Sequence, residues 1–184
     1  MDVTGTVAEV APTSNGPVRK ASVVDERLSD YVRGQWPQLV RYATALCGDP
    51  AEAEELVQSA LVRVALRWPF VRDKDNPDAY VRRAIANGYL TVWRRVRAHE
   101  VTVAETPEVA AADRIAGVDD VMSVRRALAT LPPRQRAVLV LRYLEDKSEQ
   151  ETAEILGCSV GTVKSQAAKA LGKLRGAVEK GELR

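Results

Sequence analysis

The chain has 184 residues, 46% of them hydrophobic, 28% charged and 5% aromatic, a balance that excludes a disordered or fibrous protein and, with Ala, Leu, Val, Arg and Glu dominant, favours helices. A net charge of +2 is too small to mark a nucleic-acid binder by itself, although six acidic residues and one arginine between Glu100 and Asp120 separate two basic stretches. Two distant cysteines, Cys47 and Cys158, and the single His99 argue against a disulfide or a zinc site, and without an apolar run of membrane-spanning length or a signal-peptide core the expected location is the cytoplasm.

Residues 1–24 are rich in Thr, Ser, Gly, Pro and Val without periodicity, and read as a mobile N-terminal tail. From Asp25 the pattern turns helical, with Leu28, Tyr31, Val32 and Gln35 on one face. Pro37 kinks this helix or begins the next, and Leu39, Val40, Ala43 and Leu46 continue at helical spacing. In "GDPAE", Asp49 is a good N-cap, Pro50 a good first residue and Glu52 an acidic first-turn residue. That helix runs to about Trp68 and is expected to bury Leu56, Leu61, Val64 and either Ala65 or Leu66. Both cysteines read as reduced, small buried hydrophobes.

"WPFVRDKDNPD" is a loop by its prolines and its Asp/Asn density. Asn76 caps the following helix, which starts at Pro77 and ends near Ala98. Val81, Ala84, Ile85 and Tyr89 or Leu90 suit its core face, while Arg82, Arg83, Arg94, Arg95 and Arg97 make it strongly basic. After the acidic linker 100–120 come a helix from about Val121 to Thr130, the breaker "LPP", and a helix from about Arg134 to Leu144. The expected fold class is all-α. Two small helical domains, 25–99 and 121–184, are joined by the acidic linker.

The last stretch, "SEQETAEILGCSVGTVKSQAAKALGKLR", has the build of a helix-turn-helix. Ser148 and Glu151 have capping-box spacing, Gly157 suits a left-handed helix end, and Ser159 can cap the second helix. At 100° per residue, Val160, Val163, Ala167, Ala170, Leu171 and Leu174 form one stripe. Thr162, Ser165, Lys169 and Lys173 lie opposite, with Gln166 beside them and Lys164 at the flank. Short hydrogen-bonding groups near the helix start suit base edges, and amines further along suit phosphates. In the first domain, "VRRAIANGYLTVWRRVR" interleaves arginines with Tyr89 and Trp93, a pattern suited to stacking on unpaired bases and gripping a backbone. There is no His/Cys/acid constellation, Gly-rich phosphate loop or nucleophile elbow, so no catalytic residue, metal or cofactor is expected, and the chain does not read as an enzyme.

Together, "EAEELVQSALVRVALRW", "AYVRRAIANGYLTVWRR" and "LPPRQRAVLVLRYLEDKSEQETAEILGCSVGTVKSQAAKALGKLR" resemble domains 2 and 4 of bacterial RNA polymerase sigma factors. The chain is similar to the small, two-domain extracytoplasmic-function (ECF) type, closest to an actinobacterial group, over roughly Asp25 to Ala98 and Val121 to Ala177. The resemblance implies a protein that binds core RNA polymerase and directs initiation through −10 and −35 promoter elements. It implies core contacts, with the β′ coiled coil, at Leu56, Gln58, Ser59 and Arg63 and a domain 4 docked on the β flap. It implies −10 contacts at Asn76, Arg83, Asn87, Trp93, Arg94 and Arg95, with Asn87 standing for the Asn of the family's "IAxN" pattern and the loop from Pro69 to Asn76 receiving a flipped base. It implies −35 contacts at Thr162, Lys164, Ser165, Gln166 and Lys169 in the major groove. An anti-sigma factor is a further partner that the resemblance leaves open, and no membrane contact is implied. Thr91 and Val92 stand where many members carry Asp before the arginine cluster, and "SQAAKA" replaces a commoner Arg-bearing recognition helix. The alternative is a stand-alone helix-turn-helix regulator, which would bind duplex DNA without polymerase and would have no use for the aromatic and basic surface of the first domain.

Overall fold

A computed structural model describes residues 26–71, 76–100 and 119–179, all in helices or the short turns between them. The expected tail 1–24 and most of the linker 100–120 lie outside the described residues. The first helix, α1 (Glu26–Cys47), runs through Pro37 without stopping. Pro37 is exposed, so the hydrogen bond it removes faces solvent while Leu39, Tyr42, Ala43 and Leu46 are pulled inward.

Gly48, with φ +89°, turns the chain into α2 (Pro50–Arg67), where Asp49 accepts the Glu52 amide at 2.9 Å. Val64 is buried as the sequence suggested, but the rest of the buried face of α2 is Ala53, Val57 and Ala60 in place of the expected leucines. Leu56 and Leu61 are only half-buried, Ala65 likewise, and Leu66 is 72% exposed. Small side chains let α2 approach its neighbours closely, and that packing outweighs the greater hydrophobicity of leucine. A short 3₁₀ turn, Trp68–Phe70, buries Trp68 against the edge of Tyr80 and leaves Phe70 84% exposed.

Helix α3 (Pro77–Glu100) begins where Asn76 accepts the Ala79 amide at 3.2 Å. Val81, Ile85, Ala86 and Tyr89 form its buried face, with Ala84 and Leu90 half-buried. The second half comprises α4 (Asp119–Ala129), α5 (Pro133–Leu139), a π-helical turn at Val140–Leu144, α6 (Glu149–Leu156) and α7 (Val160–Glu179). Among the described residues no helix is long and apolar enough to cross a membrane.

The two halves share one apolar cluster. Leu39, Leu46, Val57, Ile85 and Tyr89 of the first join Leu128, Leu131, Leu139, Leu141, Ile155 and Ala170 of the second. A smaller cluster of Val138, Ala153 and Val163 holds α6 and α7 together. Both cysteines are free and half-buried, and burial, with the negative charge of Glu52 adding to it, pushes the Cys47 thiol up to about 12.

Candidate nucleic-acid and polymerase interfaces

The α6–α7 pair is fixed by local chemistry at each end. The Glu151 amide donates to Ser148 Oγ at 3.1 Å and the Ser148 amide donates to the Glu151 carboxylate at 2.7 Å, a complete capping box. These bonds hold the Glu151 carboxyl below its usual range. Gly157 takes φ 62°, where a Cβ would be strained, and the Cys158 amide reaches back to the Ala153 carbonyl at 3.0 Å. Ser159 Oγ then accepts the Thr162 amide at 3.1 Å and pairs with the Thr162 hydroxyl at 2.9 Å.

This frame turns Lys164, Ser165 and Lys169 to solvent, with Thr162 and Gln166 half-buried beside them. All five sequence-predicted side chains therefore lie on the outer part of one helix. Leu171, read from the sequence as part of the apolar stripe, is instead 39% exposed. The Lys164 amine lies 3.5 Å from Glu149, and the Ser165 hydroxyl donates to the Thr162 carbonyl at 3.0 Å. Both are solvent-side contacts that a phosphate or a base edge can displace with little penalty.

A second surface is the α3 face carrying Arg83, Asn87 and Arg94. Each is exposed, and at helical spacing they lie along one side. Asn87, Leu90, Trp93 and Arg94 line a cleft of about 370 Å³ whose other wall is Pro132, Pro133, Arg134 and Leu156 of the second half. The guanidinium of Arg83 lies 3.3 Å from where a Cβ on Gly157 would sit, beside the turn between α6 and α7. Arg95 is exposed next to this face, and Asn76 is occupied in capping α3. Trp93 stands edge-on to Tyr89, 6.4 Å between ring centres, and Arg94 donates to the Thr91 hydroxyl at 2.9 Å.

A third surface is the groove between α2 and α3. Leu56, Ser59 and Arg63 line it together with Glu55, Gly88, Val92 and Trp93, while Gln58 is exposed outside that lining. Gly88 lets the two helices' side chains pack close: a Cβ there would fall 2.8 Å from both the Arg63 guanidinium and a Leu56 methyl, so the ends of those two flexible side chains would have to move.

One constellation was not legible in the sequence. Asp78 accepts three bonds: from the Tyr31 hydroxyl at 2.7 Å, from Arg82 Nε at 2.8 Å and from the Lys147 amine at 2.8 Å. Arg82 also pairs with Glu145, and their side chains are 6% and 5% exposed. Burial opposes ionisation of Asp78, but the bonds from Lys147, Tyr31 and Arg82 outweigh it and hold the carboxyl below its usual range. Arg82, counted from the sequence as part of a basic surface, is thus a buried and neutralised side chain, its guanidinium 5.3 Å from the centre of the Tyr42 ring. Arg136 of "LPPRQR" is buried as well, donating to the Leu46 carbonyl and the Ala129 carbonyl, each at 2.8 Å. The only local signal is the i, i+4 spacing of Asp78 and Arg82; the Tyr31, Glu145 and Lys147 partners are 47, 63 and 69 residues away.

Residues 30–99 match the family model for Sigma-70 region 2, and residues 122–174 match that for Sigma-70, region 4. The RNA polymerase sigma-E factor of Streptomyces avermitilis is 40% identical over 154 residues, covering 84% of this chain and 86% of that protein. The ECF RNA polymerase sigma factor SigM of Mycobacterium tuberculosis is 31% identical over 163 residues, covering 88% and 83%. In fold, the chain is similar to the sigma factor RpoE solved in complex with the anti-sigma factor NepR from Bartonella quintana. The TM-score is 0.69 at 22% identity, over 84% of this chain and 98% of that one.

Proposed function

The chain belongs to the sigma-70 family of RNA polymerase sigma factors, in its ECF type, and from that premise we propose how its surfaces divide the work of promoter recognition. A sigma factor binds core RNA polymerase and directs it to promoters, so this chain is a transcription initiation factor. Polymerisation belongs to the core enzyme, and we assign the chain no catalytic group.

Thr162, Lys164, Ser165, Gln166 and Lys169 read the −35 element from α7. The observation that carries this reading is the doubly capped turn from Ser148 to Thr162, which fixes α7 and leaves that row of polar side chains on its outer side. Arg83, Asn87 and Arg94 share an exposed side of α3 suited to the −10 strand, where Arg95 adds a phosphate contact and Trp93 supports melting. The exposed Phe70 and Asn76, at the foot of α3, belong to the loop from Pro69 to Asn76 that takes the flipped base, of which residues 72–75 lie outside the described residues. The core enzyme docks on the α2–α3 groove through Leu56, Ser59 and Arg63, with Gln58 at its outer edge. An anti-sigma factor, the kind of partner bound to the Bartonella protein, is a third proposed partner. A cytoplasmic location follows from these partners.

The test adds the purified chain to core polymerase on a genomic promoter library and sequences the transcripts. Initiation confined to a shared pair of sequence elements is expected. Initiation no higher than with core alone rejects the reading. Footprints of Lys164→Ala and Gln166→Ala holoenzymes should lose −35 protection or change base preference; unchanged footprints reject the α7 assignment.

A further inference from the structure

We propose that Glu149, the first residue of α6, is a specificity residue of −35 reading: acting through Lys164, it keeps that amine on a base edge and off the phosphate backbone. The proposal rests on the α7 assignment above and adds to it a positioning residue that lies on the other helix.

The three carboxylates of α6 are used differently. Glu151 accepts the Ser148 amide at 2.7 Å and completes the capping box. Glu154 accepts from the Gln150 side chain at 2.9 Å, within its own helix. Glu149 reaches α7 instead, where its carboxylate lies 3.5 Å from the Lys164 amine. Ser148 fixes where α6 starts, and Ala153 and Val163 pack in one small cluster with Val138, so the crossing of α6 and α7 is set and residue 149 is held near residue 164. The Lys164 and Glu149 side chains are 63% and 40% exposed, which puts the pair at the water boundary beside the row of −35 residues.

A lysine amine on a flexible four-carbon stem is a point charge that takes the nearest anion. On DNA that anion is a phosphate, and the contact carries no sequence information. The first helix of a helix-turn-helix crosses the backbone, so Glu149, at the start of α6, stands where the phosphates pass. A carboxylate there acts in two ways. It repels phosphates, and with Lys164 it forms a pair of no net charge, so the sequence-independent pull at this spot falls. It also engages one N–H of the ammonium and leaves the other two for neutral acceptors. Guanine O6 and N7 in the major groove are such a pair of acceptors. Lys164 steered by Glu149 therefore discriminates in favour of a G·C pair, because the contact with the backbone has been made worse. An exposed ion pair is weak in itself, which suits this role: the carboxylate directs the amine without withholding it from DNA.

The test assembles holoenzymes from core polymerase and wild type, Glu149→Gln, Lys164→Ala, the double variant or Glu154→Gln. Each transcribes a promoter library randomised across the −35 element, with the −10 element held constant, and the transcripts are sequenced. Glu154→Gln removes the same charge from the same helix at a carboxylate that is bonded to Gln150 instead of Lys164. Circular dichroism verifies that helix content is kept. Glu149→Gln should lower the preference for a G·C pair by about threefold or more, a share of what one bidentate base contact contributes, at the position where Lys164→Ala also lowers it. Glu154→Gln should keep the wild-type preference, and Glu149→Gln should change nothing further once Lys164 is alanine. A wild-type preference in Glu149→Gln overturns the proposal while the α7 assignment stands. An equal loss in Glu154→Gln overturns it in favour of net charge, and a further loss in the double variant overturns it by showing that Glu149 acts without Lys164. If Lys164→Ala itself leaves the −35 preference intact, or wild type does not initiate with core, the underlying assignment fails and the proposal with it.

Discussion

Two helices of this molecule carry charge in opposite ways. On α7, Lys164 touches Glu149 at 3.5 Å with the side chains 63% and 40% exposed. On α3, Arg82 is enclosed between Asp78, Glu145 and the Tyr42 ring. The first arrangement holds a charge ready for a partner outside the molecule, and the second spends it inside. The same residue class therefore serves recognition in one place and cohesion in the other, and burial decides which.

That contrast breaks most sharply at Arg82. Arg82→Met should destabilise the chain by about 3 kcal/mol, because it strands Glu145 in a buried site and removes one donor from Asp78. Urea unfolding followed by circular dichroism measures it; a loss under ~1 kcal/mol would put Arg82 in the same class as the α7 lysines. Acid should act more gently on the same network. The Asp78 carboxyl is held below its usual range, so its contribution is complete above pH about 4 and is lost as pH falls through the lower folded value. Thermal midpoints of wild type and Asp78→Asn, taken from pH 6 down to pH 2, should converge at the acid end, and a constant gap would contradict the assignment.

The α6–α7 frame is the intermediate case. Ser148→Ala removes the acceptor for the Glu151 amide and should cost about 1 kcal/mol in the same unfolding measurement. Lys164→Ala marks the far end, with a stability change within ~0.5 kcal/mol. Its effect should appear on DNA instead, where the salt dependence of holoenzyme binding loses about one ion in its slope. A stability loss comparable to that of Arg82→Met would erase the contrast between the two helices.

The parts of this fold that were legible in the sequence are those with local causes. Asp49, Asn76, Ser148 and Ser159 all accept the amide their position predicts, because a cap is decided within four residues. The five side chains assigned to the α7 outer side lie there for the same reason, since capping and periodicity together fix how the helix faces. Where long-range packing decides, the pattern misleads. Val64 of α2 is buried as the pattern has it, but the rest of that face went to Ala53, Val57 and Ala60 because close helix approach favours small residues, and Leu66 was left outside. Pro37 marks a break by local rules, yet α1 continues because the residues beyond it are anchored in the core. The Glu145 and Lys147 partners of α3 had no signature at all, since two charges more than 60 residues apart leave no periodic trace.

The cleft beside α3 also gives the molecule its own optical gauge. The chain has three tryptophans, Trp36, Trp68 and Trp93, all in the first half. Trp68 is buried and Trp36 packs half-buried against the core, whereas Trp93 lines the cleft facing Pro132 and Leu156. Separating the halves would wet that indole and leave Trp68 in place, so unlabelled protein should shift its emission to the red in any state in which they part. Trp93→Phe should silence such a shift, so a stopped-flow fluorimeter can follow the separation with no dye attached.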